Sequence, residues 1–398
     1  MSVTEIRSNR IHRTGFYLVL TGVALMMAGA SAPSPFYPIL QRQIGFSPAV
    51  MTGIFAIYTI ALLCTLLLAG SLSDHIGRRP VLSAAFAVLA VSLVMFWQAD
   101  TVGTLLFARV VQGVASGLLL STLSAAAVDL EPVDKPGSAA IWTSVLPLGG
   151  LGLGALASGA ILDFSSAAKP EVFGSLVAIY AALAALVLLL PETAPRHDGI
   201  WSALRPRMGL PRSARKTFLR SAPAVFAGWA TGGFYLSLGA PIIAQIFGVT
   251  DYLLQALVIT LLAGSGSVAC FVARHYTARQ VTLFGTSALA VGTTLTVLGV
   301  MAELLPFYLG AVIVAGAGFG TCFYGVMRSI IPLATANERG ELFATLFTVS
   351  YMAFGVPVVI AGLALPHIGL SMTICIYGGV IIVLSAAAGL LRKFGTSE

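Results

Sequence analysis

Gly70-Ser-Leu-Ser-Asp74-His-Ile-Gly77-Arg78-Arg79-Pro-Val-Leu82 is a short stretch of charge and glycine between two long apolar runs. A connection this short between two runs of membrane length reads as the turn between two bilayer spans. Gly77 permits a backbone turn with positive φ at little cost. Asp74 suits a helix start, where free N–H groups and the helix dipole favour an anion. Arg78 and Arg79 mark a cytoplasmic loop, because basic residues are retained on that side during insertion.

Composition supports the same medium. The chain has 398 residues, 58% hydrophobic and 9% charged. A soluble domain carries about 25% charged residues, so this surface belongs in lipid. A net charge of +7 raises the question of nucleic acid. The basic residues lie in short loops between apolar runs, however, which is the positive-inside pattern and not a basic face. Cys64, Cys270, Cys322 and Cys375 all lie inside apolar runs with no paired-cysteine or histidine-rich spacing. Neither a disulfide nor a metal site is expected. The first apolar run is too long for a signal-peptide core and is read as an uncleaved span.

A span needs about 20 apolar residues. Twelve runs qualify: 15–39, 49–70, 80–98, 102–127, 138–162, 172–191, 221–246, 252–273, 281–301, 305–331, 342–365 and 369–391. An even number puts both ends of the chain on one side. Of the 22 Lys and Arg, 18 fall on that side, whereas only Arg42 and Lys169 fall opposite and Arg109 and Arg328 lie in or beside spans. The asymmetry predicts cytoplasmic termini in an inner membrane. Residues 192–220 are the one long polar connection, read as a cytoplasmic linker with room for a surface helix. The expected organisation is a tail (1–14), a six-helix bundle (15–191), the linker, a second bundle (221–391) and a tail (392–398). The halves read as repeats offset by 200 residues: Leu72 to Leu82 aligns with Val272 to Thr282, and Arg274 stands where the first copy has Asp74.

The opening stretch resembles the loop between spans 2 and 3 of the major facilitator superfamily, Gly-x-Leu-x-Asp-Arg-x-Gly-Arg-Arg/Lys. Gly70, Leu72, Asp74, Gly77, Arg78 and Arg79 match, and His75 departs. The resemblance extends over nearly the whole chain. It implies an all-α membrane protein of twelve helices in two pseudo-symmetric six-helix bundles. It also implies a latch in which Arg78 pairs with Asp129 at the cytoplasmic end of span 4. An ordinary surface ion pair is the alternative for Asp129.

Arg109 sits well inside an apolar run, that of span 4. A charge there must face a polar interior and find partners. Gln112 and Ser116 lie on the same helical face, and Gly113 with Gly117 forms a close-packing pair. The segment resembles the span-4 motif of drug/proton antiporters, which implies a coupling or substrate role; the alternative is that Arg109 ties helices by bonding carbonyls. In span 5, Gly150 and Gly154 form a small-residue stripe. It resembles the glycine-rich antiporter motif, with Ala155 where that motif has proline. No Asp or Glu lies mid-membrane, which leaves Asp163, at the outer end of span 5, as the candidate coupling carboxylate by elimination. By resemblance spans 1, 4, 7 and 10 line the central cavity. Their expected lining is Met26, Met27, Phe226, Trp229, Tyr235, Phe319 and Phe323, which suits an amphipathic organic compound.

No phosphate-cradling glycine loop followed by Lys-Ser/Thr is present, and no catalytic set lies in one span. The chain is expected to be a transporter, not an enzyme, with a proton gradient in place of a cofactor. It is expected to act as a monomer on a small molecule, by proton-coupled efflux. A metabolite importer or facilitator is the alternative, and a non-transporting receptor is a third reading.

Overall fold

The computed structural model describes residues 3–194, 208–335 and 338–394. The first crossing is α1 (Val3–Ser31), a 3-10 turn (Ser34–Phe36) and α2 (Tyr37–Ile44). Pro33, Pro35 and Pro38 explain the interruption, since each removes an N–H that a continuous helix would need. There follow α3 (Pro48–Ala69), the single turn α4 (Leu72–Ile76), α5 (Arg78–Trp97), α6 (Val102–Asp129), α7 (Ser138–Phe164) and α8 (Ala168–Leu186). The second half holds α9 (Arg212–Gln245), α10 (Tyr252–Ala273), α11 (Ala278–Met301), α12 (Leu305–Ile330) and α13 (Arg339–Phe394).

Ten helices among the described residues are long and apolar enough to cross a membrane. α9 is long enough, at 34 residues, but Trp229, Tyr235, Ser237 and four glycines dilute its apolar character. At 56 residues, α13 would be far longer than one crossing. It breaks at Gly369, which has φ 76° and ψ 169°, so it supplies two crossings. Twelve crossings result, numbered here as spans 1 to 12.

Local sequence fixes most boundaries. Ser47 and Thr101 accept hydrogen bonds from the backbone N–H groups of Val50 and Thr104 and start α3 and α6. Thr277 and Gln280 form a capping box at α11. The linker expected over 192–220 is shorter at its end, because α9 begins at Arg212. Its residues 195–207 lie outside the described residues. The tail expected over 1–14 continues α1 from Val3, and the C-terminal helix runs to Phe394.

Two lobes follow from the packing. One core draws only on residues from Phe16 to Leu190, and two others draw on residues from Ala214 to Ala388. Helices recur at the expected offset: Arg78 and Ala278 open α5 and α11, and Ser138 and Arg339 open α7 and α13. A small mixed core joins the lobes, Leu151 and Ala155 of α7 against Ala256, Ile259 and Ala263 of α10.

α7 explains why the span-5 stripe must be small. A Cβ added at Gly150 or Gly154 would lie 2.0 or 2.1 Å from the carbonyl oxygens of Ala24 and Ala28 in α1. Its other face packs on α10, where Gly159 meets Ala256 and the Tyr252 carbonyl. The stripe therefore lets one helix touch both its own lobe and the other.

Candidate functional site

Span 1 breaks beside span 4, and the break creates the polar site. Gly29 would normally bond the N–H of residue 33, but that residue is proline. The Gly29 carbonyl instead accepts from Gln112 Nε2 at 2.9 Å. Gln112 Oε1 accepts from Arg109 Nη1 at 2.5 Å. The same nitrogen reaches the Ala30 carbonyl at 3.3 Å, and Arg109 Nε donates to the Tyr37 hydroxyl at 2.7 Å. The guanidinium thus sits at the C-terminal end of α1, where the helix dipole favours a cation.

Arg109 is 1% exposed, the largest fully buried side chain among the described residues. Four rings surround its guanidinium, Tyr37, Phe55, Tyr58 and Phe96, with centroids 5.1–5.6 Å away. A mid-membrane arginine costs about 2.5–3.5 kcal/mol on insertion scales. Hydrogen bonds to a charged group are worth about 1.5–3 kcal/mol each, and a desolvated cation–π contact up to about 2 kcal/mol. Three acceptors and four rings are enough to hold the charge without a carboxylate. One nitrogen, Nη2, is buried with no partner among the described residues.

Ser116 is buried seven residues along α6 from Arg109. Gly113 and Gly117 pack on α3, against the carbonyls of Tyr58 and Leu62. This close approach brings Tyr58 beside the arginine. A cleft between the lobes, lined by Tyr37 and Phe55 from one and Ser237 and Gln255 from the other, borders the cage.

The second lobe offers an aromatic wall. Trp229 stands 4.9–6.4 Å, centroid to centroid, from Phe323, Tyr351 and Phe354. Phe226, Phe319 and Phe323 are half-buried, as is Met27 in the first lobe. Trp229 Nε1 is buried with no partner among the described residues. Two expected lining residues are core residues instead. Met26 is 2% exposed inside the first core, and Tyr235 is fully buried with its hydroxyl 2.6 Å from Thr296 Oγ1. The resemblance names the lining spans and not which of their faces meets the cavity.

The loop that opens the sequence forms a compact ionic knot. Gly77 has φ 113°, as its turn requires. A Cβ at Gly70 would lie 2.3 Å from the Leu66 carbonyl. Arg78 contacts Asp74 and donates from Nε to Asp129 Oδ2 at 3.2 Å. Glu192, read from sequence only as the start of the linker, completes the knot. Its carboxylate accepts from the backbone N–H of Arg78 at 2.7 Å and of Arg79 at 3.2 Å, capping α5. Thr193 donates to Asp129 at 2.8 Å, and Arg79 bonds the Leu188 carbonyl. Every one of these bonds stays within the first lobe.

Asp163 lies at the opposite face from this knot, at the C-terminal end of α7. Its two oxygens accept from the backbone N–H groups of Tyr252 at 3.0 Å and Leu253 at 2.7 Å, the first residues of α10. Arg42 donates to the Tyr252 hydroxyl at 2.7 Å. Asp163 of one lobe therefore caps a helix of the other. The remaining described hydrogen bonds between lobes run along spans 5 and 8, from Thr260 to Gly152 O and from Ser267 to Val145 O.

Comparison with known proteins fits this geometry. The family description Major Facilitator Superfamily matches residues 19–357. The uncharacterised MFS-type transporter Rv1250 of Mycobacterium tuberculosis is 26% identical over 46% of this chain and 32% of its own length. Multidrug resistance protein MdtL of Shewanella sp. (strain ANA-3) is 35% identical over 26% of this chain and 25% of its own. The chain thus aligns with a third or less of these relatives. Among solved structures, the xylose transporter XylE from E. coli, in a partially occluded inward-open conformation, matches with a TM-score of 0.76. That likeness covers 97% of this chain and 98% of the other at 14% identity, and concerns the fold.

Proposed function

The chain belongs to the major facilitator superfamily, a multi-pass membrane transporter and not an enzyme, and from that premise we propose that it exports small amphipathic organic compounds in exchange for protons. The observation that carries the reading is Arg109: fully buried, caged by aromatics at a broken helix, and left with one free donor. The second lobe contributes a free indole N–H within an aromatic wall. Two donors, one cationic, favour a flat compound bearing acceptors or a negative charge. Named multidrug relatives support export.

The two lobes alternate, as a monomer, between closure at the Asp163 face and closure at the face bearing Arg78 and both termini. The basic loops support a cytoplasmic, inner-membrane reading of that second face. The knot of Asp74, Arg78, Asp129 and Glu192 keeps its bonds in its own lobe while Asp163 closes the other face. Its release from, or docking on, the second lobe marks the switch. The domains of this reading are bundles 15–191 and 221–391, joined by a cytoplasmic linker.

Ala155 in place of the antiporter proline and the lack of a mid-span Asp or Glu favour a second reading, a facilitator or importer. Both are tested in vesicles with an imposed proton gradient and a panel of neutral, anionic and cationic fluorescent aromatics. Export predicts gradient-dependent accumulation of neutral or anionic members, abolished in Arg109→Ala protein that still reaches the membrane. Equilibration without accumulation would select the facilitator.

A further inference from the structure

The repeat offset of 200 residues exposes a reversal of charge between the lobes. In the first, Arg78 and Arg79 are met by Asp74, Asp129 and Glu192. The corresponding positions in the second are Arg274, Ser329 and Arg392, while Arg79 corresponds to Arg279. The backbone keeps the arrangement: Arg79 bonds the Leu188 carbonyl near the end of span 6, and Arg279 Nη2 bonds the Lys393 carbonyl at the end of span 12, at 3.0 Å. Arg392 donates to Ser329 Oγ at 2.6 Å, a neutral hydroxyl where the first lobe has a carboxylate.

Among the described residues these cations have no acidic partner. Arg279 is close enough to Arg392 for the two charges to repel. Arg392 Nε is buried and has no partner among the described residues. Arg328, one residue from Ser329, spends its bonds on the Ala273 and Tyr276 carbonyls. Among the described residues, the acids of the loop before span 11 are turned elsewhere, Glu338 bonded to Thr335 and Glu341 packed against Gly209. Both ion pairs found among the described residues belong to the first lobe. Leu390, Leu391 and Phe394, all exposed, continue the cluster along span 12.

We infer that Arg279, Arg392 and Lys393 form a binding site for the phosphate of an anionic lipid headgroup. A phosphate oxygen accepts from two guanidinium groups at once and supplies the negative charge that Glu192 supplies in the other lobe. The exposed leucines and Phe394 give the acyl chains a surface, which a free phosphate ion would not use. The leaflet facing this end holds the anionic lipid that basic residues at span ends attract.

The test uses the purified full-length protein and three probes: phosphatidylglycerol, phosphatidylcholine and inorganic phosphate. Native mass spectrometry should show one phosphatidylglycerol retained, and that lipid alone should raise the unfolding temperature. The double variant Arg279→Gln/Arg392→Gln should bind it about thirtyfold more weakly, from the usual contribution of two surface cations. Arg392→Glu, which gives this lobe its own carboxylate, should remove the lipid dependence while unfolding in phosphatidylcholine no earlier than the parent. Undiminished phosphatidylglycerol binding by the double variant would overturn the site, as would equal stabilisation by phosphatidylcholine. Full stabilisation by inorganic phosphate would overturn the lipid assignment. Should the variants fail to fold, the parent protein still decides, since absence of retained phosphatidylglycerol contradicts the proposal.

Discussion

Arg109 is held by two acceptors from span 1, Ala30 and Tyr37, and by Gln112 of its own helix, so each acceptor is a separate handle on the site. Tyr37→Phe keeps the ring over the guanidinium but removes the hydroxyl that accepts from Nε. A second buried donor would then lack a partner, at a cost of about 1–3 kcal/mol. The variant should unfold at lower temperature than the parent in the same detergent, and an unchanged unfolding temperature would mean that the phenol does not hold the charge. Arg109 and Gln112 were legible in sequence, because a charge within an apolar run has few explanations. The ring cage was not, since Phe55, Tyr58 and Phe96 lie on other spans and nothing in their spacing shows which face meets span 4. Gly29 was recoverable in principle: Pro33 four residues later announces a carbonyl in need of a donor.

Helices here are positioned by what their small residues let them touch. Gly154→Val in α7 would drive a side chain into the Ala28 carbonyl of α1. Backbone cannot yield there as a flexible side chain would, so folded protein recovered from membranes should fall severely. At Gly174 in α8 the nearest atoms are 3.6 Å away, on Trp97, so Gly174→Ala should be recovered at parental levels. Equal recovery of the two would remove the packing argument. The span-5 stripe was readable from its spacing, but its division between α1 and α10 was not, because small residues mark both faces. The same limit hid the burial of Met26 and Tyr235, whose spans were assigned to the cavity by resemblance: a span inside a bundle is apolar all round, so periodicity does not separate core from cavity. Glu192 was hidden for a different reason. It stands at the edge of a polar linker, and only the fold brings it to the start of span 3.

Across the whole molecule, the lobes are joined at one face by a charge on a helix end. Removing a capping acceptor costs about 0.5–2 kcal/mol, enough to move a balanced two-state equilibrium about two- to thirtyfold. Asp163 has that position between spans 5 and 8. The number of crossings, the two halves and their offset were all legible in composition and repeat, since lipid imposes length and hydropathy on every span. Which face is closed was not, because a sequence shared by two conformations favours neither on inspection.

The most direct measurement is a pair of distance distributions from spin labels in lipid. One pair spans the Asp163 face at Ser166 and Thr250, and the other spans the terminal face at Lys135 and Arg339, all four on helix ends or loops. Introducing Asp163→Ala should lengthen the first distance and shorten the second within one population shift. Distances that both stay put, or that lengthen together, would contradict two lobes rocking about the Arg109 site.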